Sequence, residues 1–215
     1  MKLAVLNDTH CGIRNSSEIF LKNSADFYSK VFFPECEERG ITQILHLGDY
    51  YDHRKFVNFK ALNHNRKSFL NEIRKRGMSM DIIPGNHDTF YKNTNDLNSL
   101  KELLGHFMNE INIIMEPTVM EYGSLRMALL PWICNDNYEK SVQFIRDCKA
   151  DWLGGHLELG GFEVMRGVES HSGMDAKLFE KFELVLTGHF HAASRKDNIW
   201  YLGSQMEFFW SDAHD

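Results

Sequence analysis

Five short apolar runs in this chain each stop at a cluster of side chains suited to hard or borderline metal ions. That recurrence constrains the fold more than any other feature. "KLAVLN" runs into Asp8-Thr9-His10, "ITQILHLG" into Asp49-Tyr50-Tyr51-Asp52-His53, and "MSMDIIPG" into Asn86-His87-Asp88. "ADWLGG" ends at His156, and "FELVLTG" ends at His189-Phe190-His191. Apolar runs of this length read as buried strands. In open α/β sheets the crevice at the carboxyl ends of the strands is where ligands bind.

Between these runs lie helix-like segments. Residues 17–39 carry Phe20, Phe27, Val31 and Phe32 at helical spacing, with Pro34 expected to kink the helix or start a second one and Gly40 to end it. Residues 58–76 form a basic amphipathic helix with Leu62, Phe69, Leu70 and Ile73 on its apolar face, ended by Gly77. Further helices are predicted near 96–107 and 138–149, and short strands at "INIIME", "LRMALLPW" and "NIWYLGS". Strands separated by helices argue for an α/β layered fold with helices covering a mixed sheet.

The chain has 215 residues, enough for one large domain with a real core. No segment has the unbroken apolar length of a membrane span, and the apolar run in "MKLAVLNDTH" is too short for an export signal, so a cytoplasmic protein is expected. Cys11, Cys36, Cys134 and Cys148 are scattered without a C-x-x-C pair, which argues for reduced thiols and against a zinc ribbon. The net charge of −6 excludes a simple basic nucleic-acid binder. Anionic partners must then be met by local basic patches or by bound cations.

Asp-x-His and His-x-His place both side chains on one side of an extended segment, because side chains alternate with period two. Glycines before Asp49, Asn86, His156 and His189 let the backbone turn tightly at the strand ends. Imidazole, carboxylate and amide donors together suit Mn, Fe or Zn. The candidates Asp8, His10, Asp49, Asn86, His156, His189 and His191 are too many for one ion and suit two ions sharing a carboxylate. Taken singly, a D-x-H or H-x-H occurs by chance, and a lone histidine is more often a hydrogen-bonded core residue. Five such clusters in order, each at a strand end, leave that reading little room.

In this order, D-x-H, G-D-x-x-D, G-N-H-D, G-H and G-H-x-H, the chain resembles the calcineurin-like metallophosphoesterase superfamily. Within it, "LGDYYDHRK", "LLPWICNDN", "GGHLELGGF" and "GHFHAAS" are similar to the SbcD-type DNA-repair nucleases. The likeness is nearest to phage recombination endonuclease subunits that work with an SbcC-like ATPase. It runs from residue 1 to about residue 204, implying a nuclease domain over 1–204 and a tail at 205–215 that starts a C-terminal capping region.

The resemblance implies a four-layer α/β sandwich, two mixed sheets flanked by helices. It implies that Asp8, His10 and His191 hold one ion, that Asn86, His156 and His189 hold the other, and that Asp49 bridges them. Mn²⁺ is the expected metal and DNA the expected substrate. His87 corresponds to a catalytic histidine that is not a ligand; it is expected to protonate the departing 3′-oxygen, with Asp88 either steadying it or capping a helix or turn. Some members carry a histidine where this chain has Asp52, with His53 as its neighbour. The family often dimerises through helices near the site.

Arg54, Lys55 and His53 are expected at substrate phosphates, whereas Arg74, Lys75 and Arg76 read as cations in a helix's last turn. One of Tyr50 and Tyr51 is expected to stack on a base and the other to pack in the core. The competing function is a phosphodiesterase or phosphatase of the same fold acting on a non-DNA substrate.

Overall fold

A computed structural model describes residues 2–107, 109–165 and 167–212. Its first sheet joins β1 (Leu3–Leu6), β2 (Gln43–His46), β3 (Ser79–Ile82) and β4 (Ile111–Ile113) in sequence order, every pair parallel. Parallel pairing with Leu6 opposite His46 and His46 opposite Ile82 brings three strand ends to one edge. The first three polar clusters follow from that edge.

The second sheet runs in the order β11-β12-β10-β7-β6-β5. These are β5 (Thr118–Tyr122), β6 (Leu125–Leu130), β7 (Trp152–His156), β10 (Leu184–Gly188), β11 (Ser194–Lys196) and β12 (Ile199–Tyr201). The middle pairs are parallel and the two edge pairs antiparallel. Gly188 lies opposite His156, so the last two clusters leave neighbouring strands side by side. A separate hairpin, β8 (Glu163–Met165) with β9 (Val168–Glu169), crosses the loop between β7 and β10.

Period-two alternation assigns the layers. Leu45, Leu47, Ile83, Met127, Leu129 and Leu186 pack between the two sheets. Their neighbours in sequence face outward: Ile44 and Ile82 into the core under the first helices, and Ala128, Leu130 and Val185 into the core under the last one. Both faces of each sheet are therefore covered, which is why these strands read as near-continuous apolar runs. The result is the four-layer arrangement, two sheets flanked by helices.

The first helical layer holds α2 (Glu18–Phe27), α3 (Phe33–Arg39), α4 (Phe59–Asn65), α5 (Asn71–Lys75) and α6 (Ser99–Leu104), and the outer face of the second sheet carries α7 (Tyr138–Asp147). Before them, α1 (Ile13–Ser16) is a single turn in which Arg14, Asn15 and Ser16 have positive φ.

The two long predicted helices each widen in the middle into a π turn, Tyr28–Phe32 and Arg66–Leu70. Each turn contains a serine whose hydroxyl donates to the carbonyl four residues earlier, Ser29 to Ala25 and Ser68 to His64. Pro34, which has no N–H to give, follows the first widening, and the backbone stays helical from Glu18 to Arg39. Gly40 and Gly77 end their helices with φ of 63° and 61°.

The sequence reading misses β5, β8, β9 and β11. Edge strands and hairpins are half exposed, so they show no apolar run; β5 has one buried residue, Tyr122. The segment expected as a tail does not lead straight away from the domain. Phe208 is 2% exposed, and residues 213–215 lie outside the described residues.

Candidate metal centre

The two sheet edges converge, and the side chains of the five clusters meet there. Asp8, His10 and His191 form one group with ligand atoms within 4.8 Å of one another, and Asp49, His156 and His189 form a second. Asn86 joins the second group: its Oδ1 is 3.0 Å from His156 Nε2 and 2.9 Å from His189 Nδ1. Asp49 Oδ2 stands between the groups, 3.3 Å from His156 Nε2 and 3.7 Å from His10 Nε2. Every residue expected to hold an ion is thus brought to one place.

The backbone is bent to do this. Asp8, His10, Asp49 and His189 have φ of 47°, 41°, 54° and 93°, a region costly for residues with a Cβ. Hydrogen bonds between clusters hold them there: Asp8 N–H to the Gly48 carbonyl, His10 N–H to the Asp49 carbonyl, and His189 N–H to Asp8 Oδ2, all at 3.0 Å. Glycines make room. A methyl group at Gly188 would lie 2.5 Å from Asp8 Oδ2, and one at Gly85 would overlap the Asp49 carboxylate and amide. Gly85→Ala is therefore expected to weaken ion binding by displacing Asp49 while leaving the helical signal intact, a result read by metal titration beside circular dichroism.

The donor set fits a pair of divalent cations. His10 Nε2 and His191 Nε2 face each other at 3.2 Å, and two imidazole nitrogens crowd one amide oxygen in the other group. Asp8 Oδ1 is buried with no hydrogen-bond partner among the described residues. Donor atoms converging in this way would surround a cation once the histidines are neutral.

The far ring nitrogen of each histidine faces an oxygen, at hydrogen-bonding geometry for His156 and at ion-pair distance for the other three. His10 Nδ1 lies 3.3 Å from Asp52 Oδ1, His156 Nδ1 is 2.8 Å from the Leu47 carbonyl, and His191 Nδ1 is 3.4 Å from Asp212 Oδ2. His189 Nε2 is 4.0 Å from Glu158 Oε2. Backing of this kind selects the tautomer that points a lone pair at the metal.

Burial alone would lower the His10 pKa, but Asp52, Asp8 and Asp49 outweigh it and push it to about 10. His156 is pushed to about 9, burial being overcome by Asp49 and Asp8. Burial and the charge of His156 take His189 down to about 4. Burial opposes ionisation of Asp49, yet the His156 charge holds its carboxyl well below the usual range.

Near neutral pH the metal-free site therefore carries protons on His10 and His156, and cations must displace them. Mn²⁺ affinity is expected to rise from pH 6.5 to 9, with proton release seen by calorimetry in buffers of different ionisation enthalpy. Both histidines have folded values above their ordinary 6.5, so their contribution to metal-free stability is full below about 6.5 and lost through about 9 and 10. The metal-free melting temperature should fall over that upper window.

His87 sits outside the two cages, although with His10 and Asp52 it makes a third group of possible ligand atoms within 4.8 Å of one another. Its Nδ1 donates to the Asp52 carbonyl at 2.5 Å, its N–H donates to Asp49 Oδ1 at 2.7 Å, and its ring meets His10 edge-on at 4.8 Å. Asp52 thus steadies two histidines, His10 through its side chain and His87 through its backbone.

The expectation that Asp88 steadies His87 does not match this geometry. The buried Asp88 carboxylate accepts from the N–H groups of Tyr50, Tyr51 and Gly85, stapling the second and third clusters together. Burial and the Asp49 charge raise its pKa to about 6 against those hydrogen bonds.

Of the expected phosphate contacts, Arg54 spends Nη1 on the 89–91 loop, donating to the Thr89 hydroxyl at 3.1 Å and more weakly to the Thr89 and Tyr91 carbonyls. Lys55 hangs 5.7 Å over the Phe90 ring, and His53 stacks on Phe56 while its Nε2 lies 3.4 Å from Asp52 Oδ2. Tyr50 and Tyr51 are both fully buried, so neither offers a face to a base. Arg74 pairs with Glu110 and Arg76 with Glu37 and Glu72, the solvated helix end expected of them.

Sequence reasoning misses several neighbours of the site. Trp132 packs its ring on His189 at 5.3 Å and meets His156 edge-on, at one side of a groove of about 240 Å³ that also includes Tyr138 and Glu158. His46 is buried beneath the site, its Nε2 3.1 Å from the Thr9 hydroxyl, and burial lowers its pKa to about 3. Trp132 sits at the end of an apolar run and His46 inside one, so each reads as core by pattern alone.

A family model for calcineurin-like phosphoesterases matches residues 1–193. Exonuclease subunit 1 of Enterobacteria phage T4 is 29% identical over all 215 residues, and the chain spans 62% of that relative's length. Among solved structures, GAP50, the anchor in the inner membrane complex of Plasmodium, superposes with a TM-score of 0.51 at 14% identity, over 94% of this chain and 70% of that one. A hypothetical protein from Thermus thermophilus gives 0.47 at 13% identity, over 95% and 75%. The Pseudomonas putida nuclease MPE gives 0.39 at 18% identity, over 89% and 62%. The likeness to GAP50 is one of fold alone.

Proposed function

This chain belongs to the calcineurin-like phosphoesterase family, and we propose that it is a Mn²⁺-dependent DNA nuclease acting in recombination or repair. The observation that carries this reading is Asp49 Oδ2 standing between two nitrogen- and oxygen-donor cages with His87 alongside. A pair of divalent ions in those cages supplies Lewis-acid charge for the phosphoryl oxygens and lowers the pKa of water.

The chain's own residues do the rest. Asp8, His10 and His191 hold one ion, Asn86, His156 and His189 the other, and Asp49 both. Asn86 is neutral, so it holds an ion without reducing the positive charge offered to a phosphodiester. Because Nδ1 of His87 is fixed on the Asp52 carbonyl, Nε2 is the nitrogen left to protonate the departing 3′-oxygen. Lys55 and His53 stand nearby for flanking phosphates.

A DNA substrate is supported by the phage relative, whose name is that of an exonuclease subunit. That name also supports a partner subunit, for which an SbcC-like ATPase is proposed. The loop after the second cluster and the start of α4 leave Phe56 and Phe59 62% and 87% exposed, which supports a homodimer through that face. Among the described residues no helix is long and apolar enough to cross a membrane, and cytoplasmic action is proposed.

The test is a substrate panel of duplex DNA, single-stranded DNA, cyclic nucleotides and a chromogenic phosphodiester, each with Mn²⁺, Mg²⁺ and Zn²⁺. DNA cleavage with Mn²⁺ is expected. Turnover of cyclic nucleotides or the chromogenic phosphodiester with intact DNA would replace the nuclease by a phosphoesterase of another substrate.

A further inference from the structure

Residues 204–212 lie over the cage of Asp8, His10 and His191. Gln205 Nε2 donates to the carbonyls of Asp8 and Thr9 at 3.4 Å each. Arg14 Nε donates to the Phe208 carbonyl at 2.9 Å, and its guanidinium covers the Phe209 ring at 4.6 Å. The Phe208 ring meets His10 and His191 edge-on at 5.2 and 5.3 Å, and the Phe209 ring runs parallel to His191 with an interplanar angle of 4°.

One carboxylate ties these contacts to the cage. Asp212 Oδ2 accepts from the N–H groups of Phe208 and Phe209 at 3.0 and 3.1 Å and lies 3.4 Å from His191 Nδ1. His191 Nε2 points the other way, 3.2 Å from His10 Nε2. A carboxylate behind the ring selects the Nδ1–H tautomer, raises ligand basicity and leaves the Nε2 lone pair facing Asp8 and His10. Phe208 and Phe209 limit how the ring can turn.

We propose that Asp212 is a positioning residue for the ion of the Asp8–His10–His191 cage, and that residues 204–212 form a strap that sets the orientation of His191. This rests on the two-ion reading above. It makes the C-terminal segment part of the metal centre rather than a lead-out from it.

The test titrates Mn²⁺ calorimetrically into the wild-type protein and into Asp212→Asn, Asp212→Glu and Asp212→Ala. It also records metal-free melting temperatures and imidazole nitrogen NMR of the Zn²⁺-loaded forms. Asn keeps an oxygen for the Phe208 and Phe209 N–H groups but loses the charge behind His191. Asp212→Asn is expected to weaken one site ~10- to 100-fold, leave the other unchanged, shift the His191 nitrogen signals and keep the metal-free melting temperature. Asp212→Glu should recover part of the affinity.

Two wild-type affinities in both the Asn and Ala variants would overturn the proposal. So would equal weakening of both sites with a lower metal-free melting temperature, which would make the strap merely structural. A wild-type protein that takes up no Mn²⁺ would overturn the two-ion reading itself, and is told apart because no variant would then differ from it.

Discussion

Asp49→Ala is expected to strip the protein of both ions and of hydrolysis together. Asp49 Oδ2 lies within 3.3 Å of a nitrogen in one cage and 3.7 Å of a nitrogen in the other, which places this carboxylate to serve both. Its Oδ1 also fixes the His87 backbone. Loss of the ions removes several kcal/mol of charge stabilisation, which corresponds to a rate loss of ~10³-fold or more. The metal-free variant should also be less stable near neutral pH, because protonated His10 and His156 would lose one of the carboxylates that compensate their burial. Asp49→Asn guards against simple misfolding: it keeps an oxygen for the His87 N–H and should still lose the ions. Full occupancy of both cages in Asp49→Asn would remove the shared carboxylate from the account.

The second large effect separates chemistry from metal binding. His87→Ala should keep both ions, since His87 Nδ1 is committed to the Asp52 carbonyl and the ring lies outside the two cages. DNA hydrolysis should fall by ~10²- to 10⁴-fold, the range for losing a positioned general acid. A p-nitrophenyl phosphodiester, whose leaving group departs without a proton, should lose less than about tenfold. The leaving-group difference is the discriminating readout. Equal losses on both substrates would mean that His87 stabilises charge on the phosphoryl group instead. Lost metal would mean that it is a ligand.

The site is unusually legible because its chemistry is written in contiguous clusters at strand ends. Asp8 and His10, Asn86 and His87, and His189 and His191 each lie within three residues of one another. Parallel pairing of β1, β2 and β3 and of β7 with β10 then brings the clusters to two facing edges without long-range information.

What supports the clusters was not legible. Asp88 looks like a partner of its neighbour His87, yet backbone N–H groups of Tyr50 and Tyr51 claim it, and adjacency in sequence says nothing about that. Arg54 looks like a free cation after a motif, but it braces a loop more than thirty residues away. One of Tyr50 and Tyr51 reads as a residue for stacking on a base, yet both are buried because the second cluster turns inward over Phe69. The strap of residues 204–212 has no periodicity and reaches back nearly two hundred residues to Asp8, Thr9 and Arg14. Contacts of that range depend on how the two sheets pack, and no local pattern carries them.

The central claim is that two cations share one carboxylate. Electron paramagnetic resonance of the Mn²⁺-loaded protein, with metal content measured on the same sample, tests it most directly. Two Mn²⁺ per chain with an exchange-coupled spectrum, lost in Asp49→Asn, is the predicted result. A single ion per chain, or two ions with uncoupled spectra unchanged by Asp49→Asn, would contradict it.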